Sequence, residues 1–124
     1  MRALPAACLL LAGLALPGGA RAAGMSIGYE VLAARTTQAD CLARAAQAIQ
    51  AAGLRPLRPT SDAAWGENAA ADELYTIYCL ADRGIAMVAG AADSSAPADA
   101  VVTRLRQAFR EGTAASGGAG GLRK

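Results

Sequence analysis

The sequence predicts a small α+β domain: a two-layer sandwich in which a mostly antiparallel sheet of three to five strands carries two helices on one face. Three observations lead there. The segments run in the order strand, helix, one or two short strands, hairpin, helix, an order that favours an antiparallel or mixed sheet with its helices segregated. The hairpin centres on Asp82-Arg83-Gly84, with glycine supplying the turn. Finally, a cysteine on the first helix, Cys41, and one in the hairpin, Cys79, are spaced to staple helix to sheet.

The chain has 124 residues, enough for one domain. Its first 22 read as a signal peptide: Met1-Arg2 is positive, Ala3 to Leu16 is apolar, Pro17-Gly18-Gly19 breaks the run, and Ala20-Arg21-Ala22 matches a small-x-small cleavage pattern. The competing start at Met25 would leave that ordered upstream pattern without a purpose. Leu4-Pro5-Ala6-Ala7-Cys8 lacks the preceding apolar core of a lipidation signal. The expected organisation is a leader at 1–22, one domain at 23–111 and a disordered Gly-rich tail at 112–124. The mature product is expected to be periplasmic or secreted, with no membrane segment after cleavage. The excess of arginine over lysine, with abundant alanine and glycine, suggests a GC-rich bacterial genome.

Cleavage changes the charge argument. The whole chain carries 12 basic and 10 acidic side chains. Removing Arg2 and Arg21 leaves 10 of each. A balanced chain lacks the basic stripe that nucleic-acid or anionic-membrane binding requires. Cleavage also removes Cys8, leaving Cys41 and Cys79, and a lone pair in an exported chain reads as one disulfide.

Met25 to Ala34 alternates as a strand, with Ile27, Tyr29, Val31 and Ala33 on one side. Thr37 followed by Asp40 is a capping-box start for a helix reaching about Ala52, and Gly53 suits its end. Cys41, Leu42, Ala45, Ala48, Ile49 and Ala52 form its apolar stripe, while Gln38, Arg44, Gln47 and Gln50 fill the rest. Leu54 to Pro59 carries prolines at 56 and 59, which permit only an edge strand or linker, and Arg55 and Arg58 would keep that edge solvated. Asp62 to Glu67 is a short strand, and Asn68 to Asp72 a loop or brief turn. Glu73 to Ala81 and Ile85 to Ala91 are the hairpin strands. Ser95 is the expected N-cap of a last helix with Val101, Val102, Leu105, Ala108 and Phe109 inward and Arg104, Arg106 and Arg110 towards solvent; Gly112 is expected to stop it. A ferredoxin-like arrangement without its last strand is one topology that fits.

Strand periodicity then separates the faces. If Cys79 points at the helices, so do Tyr75, Ile77 and Ala81, and Leu74, Thr76, Tyr78 and Leu80 point away. Gly28, Glu30 and Leu32 are expected to share that second face. Two helices cannot cover both sides, so a semi-apolar face is left for a protein partner or a second copy.

Catalytic signals are sparse. The chain contains no histidine, so Ser-His and Cys-His nucleophile pairs are excluded. Two distant cysteines neither close a zinc site nor form a Cys-x-x-Cys redox pair. No metal or cofactor is expected. Glu30, Glu67 and Glu73 are the carboxylates available for acid–base work. Trp65, before Gly66-Glu67, reads either as a core residue or as a partner anchor.

The leader, Gly28-Tyr29-Glu30-Val31-Leu32, Cys41, Trp65-Gly66-Glu67 and Tyr78-Cys79 together resemble small exported bacterial proteins of unknown function. The resemblance implies the paired cysteines and the α+β fold, and transfers no catalytic residue. The functional expectation is a non-enzymatic, disulfide-stapled accessory domain that binds a protein partner or itself through Trp65, Thr76, Tyr78 and Leu80. The alternatives are a small-ligand-binding periplasmic module with its pocket near Trp65, and a cryptic small enzyme or inhibitor.

Overall fold

The computed structural model describes residues 23–117. The leader, 1–22, and the end of the tail, 118–124, lie outside the described residues. Five strands, β1 (Gly24–Val31), β2 (Arg55–Pro56), β3 (Ala63–Asn68), β4 (Glu73–Leu80) and β5 (Ile85–Ala92), form one sheet in the order β1-β5-β4-β3-β2. All neighbours are antiparallel. Helix α1 (Gln38–Ala51) packs on β3 and β4, and α2 (Ser95–Gly117) on β1 and β5. The expected α+β sandwich with both helices on one face is the architecture observed. The ferredoxin-like alternative is kept in part: α1 joins β1 to the parallel β2 with other strands inserted between them, and β2 to β5 run as a meander whose last strand pairs with β1. Short connections join β2 to β5 antiparallel, while α1 makes the crossover from β1 to the parallel β2 at the opposite edge.

Local chemistry fixes the elements. Thr37 caps α1: its Oγ1 accepts from the Asp40 amide at 3.1 Å, and the Asp40 carboxylate accepts from the Thr37 amide. Gly53 follows the helix in the left-handed region, φ 77°. At the hairpin, a single 3-10 turn (Ala81–Arg83) ends at Gly84, φ 69°, a conformation that favours glycine. Prolines and arginines confine β2 to two residues at the sheet edge.

The core lies between sheet and helices. Cys41, Ala45, Ala48 and Ile49 of α1 and Val101, Val102, Leu105 and Phe109 of α2 are buried against Tyr75, Ile77, Cys79 and Val88. Cys41 and Cys79 are bonded, with Cα atoms 6.0 Å apart. Beside them the Gln38 side chain clasps the end of β4, donating to the Cys79 carbonyl at 3.0 Å and accepting from the Ala81 amide at 3.3 Å. Tyr75 lies across Gly90, its partner on β5; a Cβ there would stand 2.3 Å from the Tyr75 ring.

Helix α2 differs from expectation at both ends. Ser95 is its first helical residue, not its cap, and Gly112 does not stop it: helix continues to Gly117. One glycine in a helix costs only about 1 kcal/mol, and propagation of an existing helix is cooperative. Gly112 also lies against α1, where a Cβ would meet Arg44 Cγ at 3.2 Å.

The larger correction concerns β1. Gly28, Glu30 and Leu32 do not share the outer face; they face the helices, and Met25, Ile27, Tyr29 and Val31 point outward, exposed. The cause is the close approach of α2. A Cβ on Gly28 would lie 2.8 Å from Arg106 Cδ, so at the middle of β1 the inner side has no room for a large side chain. Glu30 is drawn inward by Arg106, whose Nε donates to its carboxylate at 2.6 Å, and by Arg110 at 2.7 Å.

Candidate functional site

The antiparallel register defines the outer face row by row. Val31, Ile85 and Leu80 form one row; Tyr29, Met87 and Tyr78 the next; Ile27, Ala89, Thr76 and Trp65 a third; Met25, Ala91, Leu74 and Glu67 the last. Residues directly opposite in an antiparallel sheet share a face and touch, so these rows make one continuous surface. Neither α1 nor α2 covers it. Seven of its large apolar side chains, Met25, Ile27, Tyr29, Val31, Leu74, Tyr78 and Met87, are exposed.

The anticipated residues fall on this surface. Trp65 and Thr76 are register partners, and Tyr78 and Leu80 continue along β4 on the same side. The Thr76 hydroxyl is not presented outward for recognition, because it donates to the Ala64 carbonyl at 3.1 Å. The sequence reading missed the largest contribution, from β1. Its signal was present in the small Ser26 and Gly28 on one side and the bulky Ile27, Tyr29 and Val31 on the other. A strand lying tightly under a helix keeps its small residues inside.

The hollow beside Trp65 is small. The space bounded by Ile49, Leu57, Ala64 and Trp65 is about 140 Å³, below the ~300 Å³ at which pockets for drug-sized ligands begin. A shallow trough of about 220 Å³ runs over the outer face between Met25, Trp65 and Leu74. A larger cleft, about 710 Å³, opens where the end of β1 meets both helices and includes Glu30, Arg44, Arg106 and Arg110.

The three glutamates noted for acid–base work have different partners. Glu30 holds Arg106 and Arg110, Glu67 pairs with Arg55, and Glu73 accepts from Tyr75 Oη at 2.9 Å and from Asn68 at 3.2 Å. Desolvation in the core, reinforced by the bond to Glu73, pushes the Tyr75 phenol up to about 12. Among the described residues no group of three or more acidic or cysteine side chains is placed to hold a metal. Among them also, no helix is long and apolar enough to cross a membrane. No family model, curated protein or solved structure matches the chain.

Proposed function

We propose that the chain is an exported, disulfide-stapled, non-enzymatic module whose working surface is the bare side of its sheet, and that a second copy of the chain occupies that surface. One observation carries the reading: Met25, Ile27, Tyr29 and Val31 of β1 stand exposed beside Met87, Leu74 and Tyr78. Patches of this kind mark interaction sites.

The self-association part rests on charge and area. The rows contributed by β1, β5 and β4 contain no charged side chain. A two-fold axis can therefore set this surface against itself without burying an unpaired ion. The only charge in the rows, Glu67 at the margin, is already paired with Arg55. Three strands about 27 Å long and one about 20 Å long, spaced about 4.8 Å apart, cover about 500 Å² per copy in projection. Two copies then bring together about 1,000 Å², the lower bound for a specific interface. Sheets packed face to face with interdigitated apolar side chains are a stable arrangement.

Export is supported by the leader-like first 22 residues and by the Cys41–Cys79 bond, since disulfides persist in oxidising compartments. Sedimentation equilibrium of the chain from residue 23 tests the proposal. A mass of two chains at micromolar concentration, falling to one on dilution, is expected. A monomer throughout that range would overturn self-association.

A further inference from the structure

We infer that the cleft between the end of β1, α1 and α2 binds a small organic oxyanion, a carboxylate or phosphate ester borne on a short apolar body. The inference rests on the charged heads at the helix side of β1 and not on the outer face, although Tyr29 and Val31 of that face border the cleft.

Three arginines, Arg44, Arg106 and Arg110, line the cleft with one carboxylate, Glu30. The local balance is therefore two positive charges, in a domain (residues 23–111) whose remaining charged side chains are five basic and nine acidic. All three arginines are held. The Arg106 stem lies over Gly28, where a Cβ would approach its Cδ to 2.8 Å. Its Nε donates to Glu30 Oε1 at 2.6 Å and its NH2 to the Tyr29 carbonyl at 3.3 Å. Arg110 NH1 donates to the same Glu30 oxygen at 2.7 Å. Arg44 rests on the Phe109 ring, 5.1 Å from its centre.

A strap joining α2 to β1 needs one arginine on Glu30. The second guanidinium on the same oxygen gains little for docking and brings like charges together, a repulsion that an incoming anion relieves. Arg44 forms no ion pair with Glu30; it borders the cleft as a third cation, and it also acts on Asp40, whose carboxyl is lowered first by its bonds to Thr37 and then by this charge. Guanidinium forks match carboxylate and phosphate oxygens in pairs, and heads fixed beforehand lose little entropy on binding. Leu32 and Phe109 supply an apolar wall beside the charges. The cleft volume, about 710 Å³, falls inside the range of about 300–1,000 Å³ usual for small-molecule sites.

The test titrates butyrate, butyl phosphate, inorganic phosphate and butylammonium into the 15N-labelled chain. Saturable shifts for residues 29–33 and 106–110 are expected with butyrate, butyl phosphate or both, with a Kd of about 1 mM or tighter. Butyrate alone assigns a carboxylate ligand; butyl phosphate alone assigns a phosphate ester. Inorganic phosphate binding as tightly as butyl phosphate would remove the apolar body from the inference. No saturation with any anion, or equal saturation with butylammonium, would overturn it. Arg110→Gln and Arg44→Gln leave Arg106 on Glu30 and so preserve the fold; each is expected to weaken binding at least about tenfold. Unchanged affinity in both variants, with unchanged melting, would also overturn the inference.

Discussion

Tyr29 of β1 and Met87 of β5 stand opposite each other in the ladder, on the side of the sheet away from α1 and α2, 62% and 37% exposed. A side chain as large as tyrosine turned outward in the middle of a strand means that the inner side of that strand had no room for it. Gly28 and the Arg106 stem above it explain why. The packing of α2 and the apolarity of the outer face are thus one fact: the closer the helix lies, the more of the bulk of β1 is displaced outward.

Charge placed at this pair should separate the proposed dimer without unfolding the monomer. Tyr29→Glu and Met87→Glu each put a carboxylate against the partner's copy of the same row. Each is expected to raise the dimer dissociation constant by about 30-fold or more, the effect of losing a central contact worth about 2 kcal/mol. Because both positions are exposed in the single chain, melting under dilute, monomeric conditions should change by no more than about 0.5 kcal/mol. Sedimentation and calorimetry read the two effects separately. Dimerisation of unaltered strength in both variants would remove this face from the interface.

Tyr75 gives the fold an alkaline limit. Burial raises its phenol from the ordinary 10 to about 12, and the bond to Glu73 adds to the effect. The folded state therefore favours the neutral phenol. That contribution is complete below pH 10 and is lost as pH rises from 10 to about 12. A shift of two units corresponds to about 3 kcal/mol. Absorbance titration should show a one-tyrosine step near pH 12 coincident with loss of stability, and Tyr75→Phe should abolish the step. A variant that keeps the step would assign it to another tyrosine.

Two glycines should respond to alanine in opposite directions. At Gly90 the new Cβ would sit 2.3 Å from the Tyr75 ring, with Val102 Cγ2 at 3.2 Å on the other side. Neither neighbour can withdraw from a filled core, so Gly90→Ala should cost about 3 kcal/mol, the upper end for overpacking. At Gly112 the nearest atom is Arg44 Cγ at 3.2 Å, part of a flexible stem that can yield. Gly112→Ala should stabilise α2 by about 0.5–1 kcal/mol. Denaturant melts of the two variants, compared at equal slope, decide both signs.

The sequence made β4 legible because its alternation is unambiguous: Tyr75, Ile77 and Cys79 are buried as expected, and the cysteine fixes the phase. On β1 the phase was not legible from hydrophobicity. Ile27, Tyr29 and Val31 have the residue types of an inner face, and only their size relative to Ser26 and Gly28 argues otherwise. The capping box at Thr37 and the turn at Gly84 depend on neighbours along the chain and could be read directly. The arginine cleft could not. Arg106 and Arg110 sit one turn apart on what reads as a solvent face, and their partner Glu30 is 76 and 80 residues away. A lone charge beside a glycine on β1 was the available clue.

The bond between Cys41 and Cys79 spans 38 residues and ties α1 to the centre of the sheet. Chain-entropy bookkeeping assigns such a loop about 4 kcal/mol, relative to an unfolded chain free to separate those ends. That is a large share of the ~5–10 kcal/mol that holds a domain of this size together. Both sulfurs are buried, so the Cys79→Ser variant also leaves a polar hydroxyl and an unpaired thiol in the core. The melting temperature of Cys79→Ser is expected to fall by about 15–30 °C, from the usual dependence of Tm on stability in small domains. Cys41→Ser/Cys79→Ser should fall by a similar amount, because either change opens the same loop. Alkylation under denaturing, non-reducing conditions should modify neither cysteine in the unaltered chain, and both after reduction. Tm values for the variants equal to that of the parent would mean that the Gln38 clasp and the apolar contacts of α1 hold the helix on the sheet unaided.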